Sequence, residues 1–149
     1  MNRGNQRERP CILEFDGASS GNPGKSGAGA VLRSGNEVHR YSKGLGTQTN
    51  NSAEYHGLLL GLKEASNKGY DHVEVRGDSK LVCEQFAGNW KVNNPNLREL
   101  RNEALDLKGN FKSVVVQHVP RGSNREADAQ ASWGKNLQAG QVEEDYYYD

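Results

Sequence analysis

The sequence predicts an α/β fold: a mixed five-stranded sheet, three antiparallel strands followed by parallel βα units, with helices on both faces. Three observations predict it. Three β-rich segments with short links open the chain. Helical spacing of leucines replaces them after Asn51. Strand-like and helix-like segments then alternate to residue 137.

The elements follow in order. Cys11 to Phe15 (CILEF) is β-rich, and the turn cluster DGASSGNPGKSG follows it. AGAVLR (28–33) and EVHRYSKG (37–44) read as two more strands joined at Ser34-Gly35-Asn36. Links this short imply antiparallel pairing. Leu58, Leu59, Leu62 and Ala65 keep helical spacing up to Gly69, a helix stop. HVEVRG (72–77) is a strand, and DSKLVCEQFAG (78–88) opens a helix. NPNLRELRNEALDLKG (94–109) is a further helix, and KSVVVQHV (112–119) reads as a buried strand. SNREADAQASWGKNL (123–137) is the last helix, with Trp133 expected in the core. Residues 1–9 read as a flexible basic arm, 10–137 as the folded domain, and 138–149 as an acidic disordered tail.

Composition narrows the function. The 149 residues suit one domain. No apolar run approaches the roughly 20 residues of a membrane helix. The start at Met1 without a targeting segment suggests an intracellular protein, in the cytoplasm first and an organelle or nucleus second, or an excised domain; a monomer is expected. Cys11 and Cys83 cannot build a disulfide framework or a CxxC metal site. The 19 Lys and Arg balance the 19 Asp and Glu, which on its face argues against a nucleic-acid binder. By segment the balance dissolves. Residues 86–125 carry seven bases against three acids, whereas residues 136–149 carry four acids and no base.

Four carboxylates stand out. Asp16 sits where the first strand breaks into a glycine-rich turn. Asp78 directly follows VEVRG. Glu54 shares a helix face with Leu58 and Leu62, so it points at the sheet. Asp128 lies among Ala127, Ala129 and Ala131, which leave room for something to approach. Each has an ordinary explanation: an Asx-turn for Asp16, a helix N-cap for Asp78, a capping box for Asn51 and Glu54, a solvated charge for Asp128. Jointly they are costly unless a positive group compensates them. No Lys or Arg is locally placed to pair with all four. A divalent cation with oxygen ligands, Mg²⁺ or Mn²⁺, would do so.

The segments FDGASSGNPG with GAGAVL, TNNSAEYHGLLLGL, VRGDSKLV and SNREADAQA resemble, in order and spacing, those of type 1 ribonuclease H. The resemblance spans roughly residues 11–135. It implies a ribonuclease H-like fold and an endonuclease that cuts the RNA strand of RNA/DNA hybrids. It implies two Mg²⁺ ions, with Mn²⁺ as substitute, held by Asp16, Glu54, Asp78 and Asp128, with Asp16 bridging both. Products with 5′-phosphate and 3′-hydroxyl ends are implied. Gly17, Asn22, Asn50 and Asn51 match positions that face the minor groove. Thr49 and Asn22 resemble the pocket for a DNA-strand phosphate. Ser79 joins the substrate-binding set, and Trp90 resembles the aromatic of the DNA-binding channel, with a core tryptophan as its alternative.

The chain departs from the family in two places. The loop VPRGSN before the last helix carries no histidine. His118 stands ten residues before Asp128 but within a strand, and reads as structural. His56, two residues after Glu54, faces away from it. AGNWKVNNPN passes to the next helix without a basic protrusion, which predicts weaker hybrid binding. GNPGKS is a phosphate-loop decoy: Ser19 stands where the first glycine is required, and a strand follows instead of a helix. No nucleotide cofactor is expected. A non-catalytic binding module and a resolvase or exonuclease on the same fold are the rival readings.

Overall fold

The computed structural model describes residues 8–149. Residues 1–7 of the expected arm lie outside them. Arg9, its last residue, is tied down: its N–H donates to Asp71 Oδ1 at 2.7 Å, and its guanidinium donates to Lys68 O at 2.8 Å.

The elements run β1 (Pro10–Ser19), β2 (Gly24–Ser34), β3 (Glu37–Gln48), α1 (Asn50–Asn67), β4 (His72–Gly77), α2 (Lys80–Phe86), α3 (Pro95–Lys108), β5 (Ser113–His118), α4 (Arg125–Gly134) and β6 (Val142–Tyr148). The sheet order is β5-β4-β1-β2-β3-β6. β1, β2 and β3 form the expected antiparallel meander, and β4 and β5 add in parallel beside β1.

Period two divides β1 between the two faces of the sheet. Leu13 and Phe15 are fully buried with Leu58, Leu62 and Ala65 of α1, Val75 of β4 and Leu32 of β2. Each such aliphatic side chain contributes about 1.5–3 kcal/mol by leaving water. Glu14 and Asp16 point to the opposite face, which α4 covers over β1, β2 and β3. α3 packs on α1 from outside. Thr49 caps α1, its Oγ1 accepting from Ser52 N at 3.1 Å, and Ser79 caps α2 by accepting from Val82 N at 3.2 Å. The caps are therefore not Asn51 or Asp78. Among the described residues, no helix is long and apolar enough to cross a membrane.

Several expectations are corrected. The sheet has six strands, not five. The tail over 138–149 is not disordered: residues 142–148 pair antiparallel with β3, from Lys43↔Val142 to Glu37↔Tyr148. Tyrosines are strong strand formers, and the edge of β3 has unpaired backbone groups to offer. The acids find partners as well. Asp145 contacts Arg40, and Glu144 lies 3.2 Å from Lys68 Nζ and accepts from Tyr41 OH at 3.3 Å. Strand β5 is an exposed edge, with Val115 60% accessible, because α4 does not reach across to it. Trp133 is not core; it is 52% exposed, and its indole N–H donates to Glu143 Oε1 at 2.8 Å. Strand β1 runs past Asp16 to Ser19. β2 starts at Gly24, so Lys25 and Ser26 of the decoy motif lie in a strand.

Candidate metal centre

Parallel pairing of β1 with β4 ends at Phe15↔Gly77, while β1 continues alongside β2. This opens a notch beside Asp16 at the carboxyl end of β4. Asp78 follows Gly77 into the notch. Glu54 enters it from α1, which approaches β1 unusually closely. A Cβ on Gly17 would lie 2.2 Å from the carbonyl carbon of Ala53, and one on Gly57 would lie 2.2 Å from Asp16 O. The absent side chains let helix and strand touch backbone to backbone. Gly17 N–H then donates to Glu54 Oε1 at 3.1 Å and fixes the carboxyl. Gly57→Ala is expected to cost about 2 kcal/mol or more, a melting temperature lower by about 5 °C. An unchanged melting curve would mean that α1 can retreat from β1 at no cost.

Ligand oxygens of Asp16, Glu54 and Asp78 lie within 4.8 Å of one another. Asp128, from α4, lines the same cavity of about 450 Å³, as do Gly17, Asn50, Arg121 and Lys135. All four acids predicted from the sequence thus come together. Burial and mutual repulsion govern their charge. Desolvation first, then the nearby Asp78, raise the Asp16 carboxyl to about 7. Desolvation, then Asp16 and Asp78, raise Glu54 to about 10. Burial raises Asp78 as well, and the Arg121 guanidinium partly offsets this. A hard dication is the group this donor set suits: it supplies the positive charge that Arg121 and Lys135 alone do not bring to four acids.

Of the residues expected to touch substrate, Gly17 and Asn50 line the cavity of the acids. Asn22 Oδ1 accepts from Asn50 N–H at 3.0 Å, so the β1–β2 turn is stitched to the start of α1. Thr49 and Ser79 spend their hydroxyls as caps but remain at this end of the sheet. Asn51 is exposed. Trp90 is 43% exposed, which rules out its core alternative, and Lys80 Nζ lies 5.8 Å from its ring centroid. His118 is exposed at the end of β5, its Nε2 3.2 Å from the Asp78 carbonyl. His56 lines a different cavity with Lys43, Lys63 and Glu103. The sequence reading missed Arg121 and Lys135. A signal was present for the first: Arg121 follows the carboxyl end of β5, where ligands of such sheets collect.

Fold and site define an α/β protein with an acidic, metal-suited centre at the carboxyl ends of its central strands. Comparison with known proteins narrows this. A family model described as Reverse transcriptase-like matches residues 14–134. Ribonuclease HI of Halobacterium salinarum is 45% identical over 120 residues, covering 79% of this chain and 60% of that protein. Its crystal structure superposes with a TM-score of 0.82 at 42% identity, covering 85% of this chain and 98% of that one. A bifunctional protein of Mycobacterium tuberculosis is 40% identical over 124 residues, covering 81% of this chain and 34% of that protein. A structure of LC11 ribonuclease H1 in complex with an RNA/DNA hybrid matches with a TM-score of 0.79 at 34% identity, covering 85% of this chain and 96% of that one. The chain belongs to the type 1 ribonuclease H family. It spans less than two thirds of the length of those two curated relatives.

Proposed function

We propose that this chain is an endonuclease that hydrolyses the RNA strand of RNA/DNA hybrids, leaving 5′-phosphate and 3′-hydroxyl ends. The observation that carries the reading is the convergence of three carboxylates within 4.8 Å, on three separate elements, in one open cavity. Asp16, Glu54, Asp78 and Asp128 would hold two Mg²⁺ ions, with Mn²⁺ as substitute. When bound, such a pair supplies the Lewis acidity that activates water and stabilises the leaving oxygen of an in-line displacement.

The chain's own groups do the rest. Gly17 N–H holds Glu54 in one orientation. Arg121 and Lys135 place positive charge at the rim of the cavity, where a scissile phosphate and its neighbours would lie. Gly17, Asn22, Asn50 and Asn51 offer backbone and short polar groups at close range, the chemistry that distinguishes a 2′-hydroxyl. Thr49 and Asn22 would take a DNA-strand phosphate, with Ser79 and the Lys80–Trp90 pair along the same strand. The hybrid complex of the LC11 relative supports this substrate class.

The test is a gel that compares end-labelled hybrid, duplex DNA, duplex RNA and a single-ribonucleotide junction, with Mg²⁺, Mn²⁺ or EDTA. Cleavage of the hybrid's RNA strand, dependent on the metal, is expected. Binding without cleavage would replace the enzyme with a binding module. Preference for duplex or branched DNA would replace it with a resolvase-type nuclease.

A further inference from the structure

Helix α4, which carries Asp128, lies backbone to backbone on β2: a Cβ on Gly29 would stand 2.4 Å from Ala127 O, and one on Gly27 would stand 2.3 Å from Ala131 O. It is ten residues long and buries only Ala127, Ala131 and Gly134. Its N-cap, Asn124, makes no side-chain capping bond but donates from Nδ2 to Phe15 O of β1 at 2.9 Å. Beyond that packing, the helix is tied at its flank to the C-terminal strand by side chains. Glu126, two residues before Asp128, is the hub of an ionic cluster. It contacts Arg33 of β2, lies 3.5 Å from Arg40 Nη1 of β3, and accepts from Tyr147 OH of β6 at 3.0 Å. The Tyr147 ring packs on Val31, Val38 and Ala127, and the Arg40 guanidinium lies 4.8 Å from its centroid. At the other end of α4, Trp133 Nε1–H donates to Glu143 Oε1 at 2.8 Å.

These contacts follow the strand's period of two. Glu143, Asp145 and Tyr147 share the face of β6 turned towards α4 and the Arg40 cluster, whereas Glu144 and Tyr146 meet Lys68, Tyr41 and His39 on the other face. The strand thus contacts α4 on either side of Asp128, and β6 is itself anchored along β3 from Lys43 to Glu37.

We infer that β6 is a strap that positions Asp128 through α4, with Tyr147 as the positioning residue that joins strand to helix. The inference rests on the proposed role of Asp128 in the acidic centre. Were β6 only a cover for the edge of β3, its two faces would matter equally and α4 would not depend on the Tyr147 hydroxyl.

Tyr147→Phe separates these cases. It removes one hydroxyl and keeps the ring, the strand pairing and the apolar contacts. Tyr148→Phe, on the opposite face of the same strand, is the control. Backbone amide exchange in the full chain is the first readout. In Tyr147→Phe, the amides from Asp128 to Ser132 are expected to exchange about tenfold faster, with α1 and β4 unmoved. Tyr148→Phe should leave α4 as it was. The second readout is steady-state cleavage of a hybrid: kcat about threefold lower in Tyr147→Phe, with KM unchanged. Unchanged exchange in α4, equal effects of the two substitutions, or faster exchange with an unchanged kcat would each overturn the strap. If the unsubstituted chain cleaves no hybrid, the proposed function fails, and the exchange comparison still decides whether β6 holds α4.

Discussion

Asp16→Asn and Asp78→Asn are each expected to abolish hybrid cleavage while leaving the fold intact. The two residues enter the notch from different elements, β1 and the end of β4, and share it with Glu54. Loss of a group that merely supports a metal ligand costs 10–100-fold in typical sites, so loss of a direct ligand should cost about a thousandfold or more. The fold should not suffer, because Asp16 contributes no apolar packing and is 5% exposed among other acids. Its charge opposes folding, and the isosteric amide removes that charge. Melting curves without divalent metal should therefore match or exceed those of the unsubstituted chain. Full activity in either variant would remove the catalytic assignment. Lost activity together with a lost melting transition would show that these acids hold the fold and not a metal.

How much of this was legible in the sequence depended on how local the cause was. Glu54 was placed correctly because helical spacing alone puts it on the face of Leu58 and Leu62. Gly77 marks the end of β4 and so points to Asp78; Gly17 reads as a strand end beside Asp16 although β1 runs on to Ser19. The backbone contact that brings Glu54 to Asp16 was not legible. It needs Gly17 to lie against Ala53 and Glu54, and Gly57 against Asp16, across the helix–strand contact, and no period announces that. The tail failed for a related reason. VEEDYYY looks like a solvated acidic run until Arg40, Lys68 and Tyr41 are set beside it, and those partners come from β3 and α1. The exposure of Trp133 was not legible for the same reason, since its indole N–H partner lies in that tail. Burial of KSVVVQHV was overread because its apolar run suggested two covered faces. Only the face bearing Val114 and Val116 packs against the core.

The second large effect is a metal-dependent stability that grows with pH. Desolvation and neighbouring acids raise Asp16 to about 7 and Glu54 to about 10, both above ordinary carboxylate values near 4. Between the unfolded and folded values, the folded chain binds more protons than the unfolded one. Stability then falls as pH rises, from about 4 up to about 7 for Asp16 and on towards about 10 for Glu54. Asp78 acts in the same sense. His56 acts oppositely: burial lowers its value, so its contribution rises with pH until the unfolded imidazole is neutral, near 6.5. Glu126, held low by Arg33 against its burial, changes nothing above the ordinary carboxylate range. The clean window therefore runs from about pH 7 to 8.5, above the histidine and below the thiols. Within it, the melting temperature in EDTA should fall as pH rises. Mg²⁺ or Mn²⁺, which bind the deprotonated acids, should oppose that fall, so the gap between the two curves should widen with pH. Asp16→Asn should shrink the gap at every pH. A gap that is absent, or that stays constant across the window, would mean that these carboxylates do not take up the ion. The acidic centre would then have to be compensated by Arg121 and Lys135, two cations facing four acids.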